Sequence, residues 1–278
     1  MTVPEIRHRH SAPRLRRRAG GGGGPFAASP VIPVITEVFL AALMTALATG
    51  LGVLPFAAFD VRSPRWPGMA TAVAGGMMLS ASVFALADKA LRRGNAVEVV
   101  AGMLAGAAFV AWSARIVASR HWHLGGWSDD ASRQPIVVIA TMFAHSIPEG
   151  VAIGVGYATG EIRFGLLLAI AIAVHNIPEG TAVALPLRAN GASLGACAWY
   201  AVLTSLPQPI VAVPAYLLIA VARPLLAPGL GFAGGAMIFL VVAELLPESL
   251  ARCSRVETAW SVTVGLVAML GFTAALGL

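Results

Sequence analysis

Residues 143–155 read FAHSIPEGVAIGV, and residues 172–185 read IAVHNIPEGTAVAL. The same phrase, His-x-x-Pro-Glu-Gly, is written twice inside strongly apolar surroundings. His145 and Glu149 are four positions apart, as are His175 and Glu179. On an α-helix that spacing stacks an imidazole and a carboxylate on one face. The polar hinge TGEIR, residues 159–163, joins the two segments. So short a link predicts adjacent antiparallel helices whose polar faces meet. Ionisable groups at the centre of a bilayer each cost at least about 2.5–3.5 kcal/mol on insertion scales. The doubled phrase therefore demands a compensating partner.

Composition identifies the solvent. Of the 278 residues, 58% are hydrophobic and 12% are charged, and mean hydropathy is +0.80. Soluble domains carry about 25% charged residues. The chain reads as an all-α integral membrane protein, a bundle of eight transmembrane helices. The spans run over about 34–58, 66–91, 96–118, 135–158, 164–187, 194–221, 225–247 and 258–277. Each approaches the ~20 apolar residues that a bilayer requires. Helices satisfy their own backbone in lipid, and no alternating barrel strands occur. Residues 34–278 are expected to form a single eight-helix membrane domain, with lipid as its surrounding partner.

Residues 1–33 differ. They are basic, then glycine-rich, then punctuated by proline, and are expected to form a disordered tail. Six of the 19 basic residues are arginines among the first 18 positions. The remainder lie between apolar runs, so the sequence pI near 10.3 reflects loop charge rather than a nucleic-acid stripe. Cys197 and Cys253 are too far apart for a CxxC site. His8, His10, His121 and His123 read as solvated tail and loop residues.

Orientation follows short-loop arginines. Arg62, Arg65, Arg115, Arg120, Arg133, Arg188, Arg252 and Arg255 lie on the side opposite the N-terminus. Lys89, Arg92, Arg93, Arg163 and Arg223 lie on the N-terminal side, apart from the tail. Positive-inside counting over short loops places the N-terminus outside.

Two carboxylates balance the charge of a divalent cation, and neutral imidazoles complete a nitrogen–oxygen shell. Such a set suits Zn²⁺, and Fe²⁺, Mn²⁺ or Co²⁺ less selectively. Pro148 and Pro178 remove backbone N–H groups and free the carbonyls of Ala144 and Val174. Freed backbone is tolerated in a membrane where it is packed in protein or lines a cavity, as in transporters. Gly150 and Gly180 are expected to let these two helices approach closely. Glu244 is the nearest further acid, toward the end of span seven.

These phrases resemble the ZIP (Zrt/Irt-like) family of divalent metal transporters, bacterial type. The resemblance rests on ALATGLGVLPF (46–56), AGGMMLSAS (74–82), HSIPEG, HNIPEG and GGAMIFLVVAELLPES (234–249), in that order. It implies eight helices, both termini outside, and metal movement toward the cytoplasm. Zinc is the implied cargo, with cadmium, iron and manganese as further cargo, and no cofactor. The implied first site is Met78, His145, Glu149, His175 and Glu179. The implied second site shares both glutamates and adds Ser146, Asn176 and Gln208. Leu168 and Ile172 match an outer hydrophobic gate, and Glu244 an acid on the exit path. Two departures stand out. Ser146 replaces an asparagine of many relatives, and Gln208, in SLPQP, replaces a glutamate. One tight site rather than two is therefore expected. A multi-pass cell-membrane protein follows, in the inner membrane if the source is bacterial, with a homodimer as a further expectation.

Two other classes, an intramembrane metalloenzyme and a metal exporter of another family, differ in their motifs. An intramembrane metalloprotease would carry HExxH, which the sequence lacks. Exporters of other families pair His with an acid four apart, but their acid is usually Asp and the PEG phrase is missing.

Overall fold

Apolar stretches broken only by short polar hinges leave the backbone one way to satisfy itself in lipid, and helices account for every long segment of the structure. The computed structural model describes residues 31–58, 65–119 and 130–276. Residues 1–30 of the expected tail, the residues around His121 and His123, and Ser128 lie outside them, whereas residues 31–33, expected to belong to the tail, open the first helix. Among the described residues, the pieces join into eight rods. The first, α1, runs over Val31–Thr49, a 3₁₀ turn at Gly50–Val53, and Leu54–Ala58. The second, α2, joins Arg65–Ser80, a π-helical stretch at Ala81–Ala87, and Asp88–Arg93. Three uninterrupted helices follow: α3, Ala96–Ser119; α4, Asp130–Ala158; and α5, Ile162–Ala189. The next, α6, is Leu194–Ser205 followed by Pro207–Val221. Arg223–Leu225, Leu226–Leu240, a π-helical turn at Val241–Leu245, and Leu246–Arg252 make α7, and Arg255–Leu276 is α8.

Helices coincide with all eight expected segments. Seven of the eight are long and apolar enough to cross a membrane by length and composition. The helix outside that set is α4, which carries the first His-x-x-Pro-Glu-Gly phrase. Side chains of residues 130–138, which include the apolar run Ile136–Val138, lie outside the described ones, so only the later part of α4 enters that comparison. Crossing by α4 therefore belongs with the function proposed below.

Helix ends show how the chain is punctuated. Asn95 and Glu98 form a reciprocal capping box at the start of α3, with the Glu98 N–H donating to Asn95 Oδ1 at 2.9 Å. Ser254 and Glu257 repeat it at α8. The tight α4–α5 turn needs Gly160, whose φ of +83° lies in the region that favours glycine.

Small residues set the packing. The α4–α5 pair is in contact, as the short hinge predicted. Gly150 and Gly180, however, do not face each other. A Cβ on Gly150 would meet the Gln208 carbonyl of α6 at 2.7 Å. One on Gly180 would meet the Thr49 carbonyl of α1 at 1.8 Å. The two glycines thus dock the site helices onto α6 and α1. Small residues permit such close backbone approach, and dispersion then holds the helices together in lipid. The same device joins α2 to α8 at Gly76 and Gly265, and α3 to α7 at Gly106 and Gly235.

Candidate metal centre

Pro148 and Pro178 do not end their helices: α4 and α5 each run through the phrase without a break. Both polar faces are consequently held in helical register. Leu168, Ile172, His175, Asn176 and Glu179 share the buried face of α5, with Leu168 and Ile172 fully buried two turns and one turn before His175, respectively.

The faces meet between the two helices. His175 Nε2 lies 3.2 Å from Glu149 Oε1, and both side chains are fully buried. Donor atoms of Glu149, His175 and Glu179 all lie within 4.8 Å of one another. Among the described residues this is the one group of three such side chains placed to hold a metal ion. First-row metals bind at about 2.0–2.2 Å from nitrogen and oxygen ligands. Modest side-chain closure would bring all three donors onto one ion. Two buried carboxylates facing each other repel, and no Lys or Arg pairs with either among the described ion pairs. A divalent cation would cancel both charges. His175 Nδ1, buried and without a hydrogen-bond partner, leaves the ring anchored by Nε2 alone.

His145 stands apart from the three. Its Nε2 is 2.9 Å from Glu244 Oε2, on the π-helical turn of α7. His145 keeps its i,i+4 relation to Glu149 on the unbroken α4, and it is the π-helical turn of α7 that brings Glu244 to it; such turns recur at functional sites. Glu244 and His145 line a cavity of about 450 Å³, together with Arg115, Thr141 and Phe239. These are the last turns of α3, the first half of α4 and the second half of α7. The cavity therefore lies toward the end of the bundle where α3 and α4 are linked.

The residues of the implied second site form a hydrogen-bonded network. The Gln208 amide donates to Glu149 Oε2, and Gln208 Oε1 accepts from the Thr45 hydroxyl. Asn176 Nδ2 donates to the Thr45 carbonyl at 3.1 Å and to Gln208 Oε1 at 3.3 Å. Ser146 turns away, donating to the Met142 carbonyl of its own helix at 3.3 Å. Gln208 lies in the first turn after the break in α6, where Pro207 opens the second half. Met78 is fully buried in the hydrophobic core of α2, one turn before the π-helical stretch.

Thr45 was missed by the sequence reading. The signal was present: Thr45 and Thr49 repeat at i,i+4 in an otherwise apolar helix. Thr49 Oγ1 is 2.7 Å from Ser205 Oγ, so both threonines tie α1 to α6.

At the opposite end from the cavity, Glu161 in the α4–α5 turn receives Lys89 Nζ at 2.6 Å and Arg93 Nη2, both from α2. The Lys89 hydrogen bond, with Arg93 beside it, holds the Glu161 carboxyl below the usual carboxylate range despite some burial.

Helical throughout its described residues, with apolar spans, a buried His-Glu-Glu group and a broken helix beside it, the chain has the features of a polytopic membrane transporter. A family model described as ZIP Zinc transporter matches residues 130–273, which cover α4 to α8. The zinc transporter GufA of Myxococcus xanthus is 34% identical over 221 residues, covering 76% of this chain and 87% of GufA. The Homo sapiens zinc transporter ZIP11 is 34% identical over 151 residues, 52% of this chain and 44% of ZIP11. Zinc transporter ZIPB of Bordetella bronchiseptica is 34% identical over 142 residues, 50% of this chain and 45% of ZIPB. An Arabidopsis thaliana relative is 38% identical over 239 residues, and the chain spans 38% of that protein's length. The chain belongs to the ZIP zinc transporter family, a family of transporters rather than enzymes.

Proposed function

We propose that this protein carries divalent cations, zinc foremost, across a cell membrane toward the cytoplasm. The cation is held between α4 and α5 by Glu149, His175 and Glu179. The observation that carries this reading is the buried convergence of those three side chains from two adjacent helices. Two carboxylates and one imidazole make a charge-neutral, nitrogen–oxygen shell, which suits Zn²⁺ and also admits Cd²⁺, Fe²⁺ and Mn²⁺. The similar proteins GufA, ZIP11 and ZIPB are all named zinc transporters, which supports the choice of zinc.

In this reading all eight rods cross the membrane, α4 beside α5. His145 and Glu244 receive the ion as it leaves the three ligands. Their cavity lies toward the α3–α4 link, which short-loop arginines place inside. Leu168 and Ile172 seal the other direction, and Met78 is a soft ligand on that outer side. The ligands must be deprotonated to bind, so protons compete with metal.

Purified protein in sealed vesicles tests the reading by uptake of Zn²⁺, Cd²⁺, Fe²⁺ and Mn²⁺ compared side by side. Zinc uptake above that of protein-free vesicles is expected. Absence of uptake for all four ions would contradict it.

A further inference from the structure

The α4–α5 hairpin carries all three proposed ligands, and its tip is tied down from three sides. Lys89 and Arg93 of α2 both reach Glu161, and Lys89 Nζ also lies 4.7 Å over the Phe164 ring. Arg223 at the start of α7 donates to the Ala158 carbonyl at 2.7 Å. Arg163 donates to the Leu276 carbonyl at the end of α8 at 3.3 Å. The turn itself is stiffened: Thr159 Oγ1 donates to the Gly156 carbonyl at 2.7 Å and accepts from the Glu161 N–H at 3.2 Å. Asp88 is taken up by Arg92 at 2.7 Å, which leaves Lys89 and Arg93 to Glu161.

We propose that Glu161 is the closing residue of an ion-pair clasp that shuts this end of the bundle while the His145–Glu244 cavity lies at the other. The proposal rests on the transport reading only in calling the clasped end an entrance. Site access at this end requires the hairpin to part from α2, α7 and α8. Three of the four ties are hydrogen bonds to backbone carbonyls or a ring contact. Glu161 alone supplies a charge that two cations share, so it is the tie that one substitution removes. The clasp is exposed enough for water to replace it, which makes it reversible; a buried ion pair would lock.

The test uses a Cys197→Ala/Cys253→Ala protein with Leu167→Cys as reporter, on α5 beneath the clasp and facing the pocket lined by Lys89 and Glu161. Metal-free vesicles are labelled with a membrane-impermeant maleimide, so the result does not depend on metal transport. Glu161→Gln should raise the labelling rate about two- to fivefold, the range an exposed ion pair carries. The triple charge exchange Glu161→Lys, Lys89→Glu and Arg93→Glu should restore slow labelling. Ala85→Cys, on the opposite wall of the same pocket, serves as a second reporter if Leu167→Cys does not fold. An unchanged rate in Glu161→Gln, or a charge exchange that labels as fast as the single variant, would overturn the clasp. Loss of transport with the labelling pattern intact would instead count against the transport reading.

Discussion

His175 of α5 and Glu149 of α4 approach to 3.2 Å across the interface of two helices, both without solvent exposure. Each comes from one copy of the repeated phrase, so the repeat is an arrangement in space: one copy contributes the imidazole, the other the carboxylate, and Glu179 completes the group. Removing any member leaves the others buried with uncompensated charge. Glu149→Ala and Glu179→Ala should each reduce zinc uptake to the level of protein-free vesicles, while the helical circular dichroism stays unchanged. Uptake at the unsubstituted rate by either variant would remove that residue from the site.

Gly180 tests the packing rather than the chemistry. A Cβ there would lie 1.8 Å from the Thr49 carbonyl, so α1 must move away from α5. Gly180→Ala should destabilise the protein by about 1–3 kcal/mol, the usual cost of overpacking. Thermal unfolding in detergent reads this as a lowered midpoint. Gly160→Ala offers a comparison through backbone strain alone, since nothing lies near its Cβ position.

The i,i+4 pattern made Glu149, His175 and Glu179 legible, because helical periodicity and a short hinge dictate which faces meet. His145 obeyed the same pattern and still found its partner on α7, since the π turn around Glu244 lies 99 residues away in the chain. No local signal reports such a pairing. The partners of Gly150 and Gly180 were equally hidden: a small residue announces close approach but not to which helix. Helix existence was legible from apolar runs, whereas the 3₁₀ and π stretches, which shift register by a residue, leave no mark on hydropathy.

Gln208 tests the number of sites. Its amide donates to Glu149 while its carbonyl oxygen is occupied by Thr45 and Asn176, so it offers neither charge nor a free donor to a second ion. A second 2+ ion a few ångströms from the first would be strongly repelled at low dielectric. Zinc titration by calorimetry should give one tight site in the unsubstituted protein. Gln208→Glu should add a second binding event, and two equal tight events without the substitution would refute the account.

The direction of transport depends on topology. Ser128, in the α3–α4 link and outside the described residues, should be cytoplasmic. With Cys197→Ala and Cys253→Ala, a cysteine at that position should resist a membrane-impermeant thiol reagent in intact cells and react after permeabilisation. Labelling in intact cells would reverse the orientation and the inward direction together.

Metal location tests the central claim most directly. Crystals of the protein grown with zinc, measured at the zinc absorption edge, should show an anomalous peak within bonding distance of Glu149, His175 and Glu179. A peak at full occupancy between His145 and Glu244, with none at the three residues, would contradict the account.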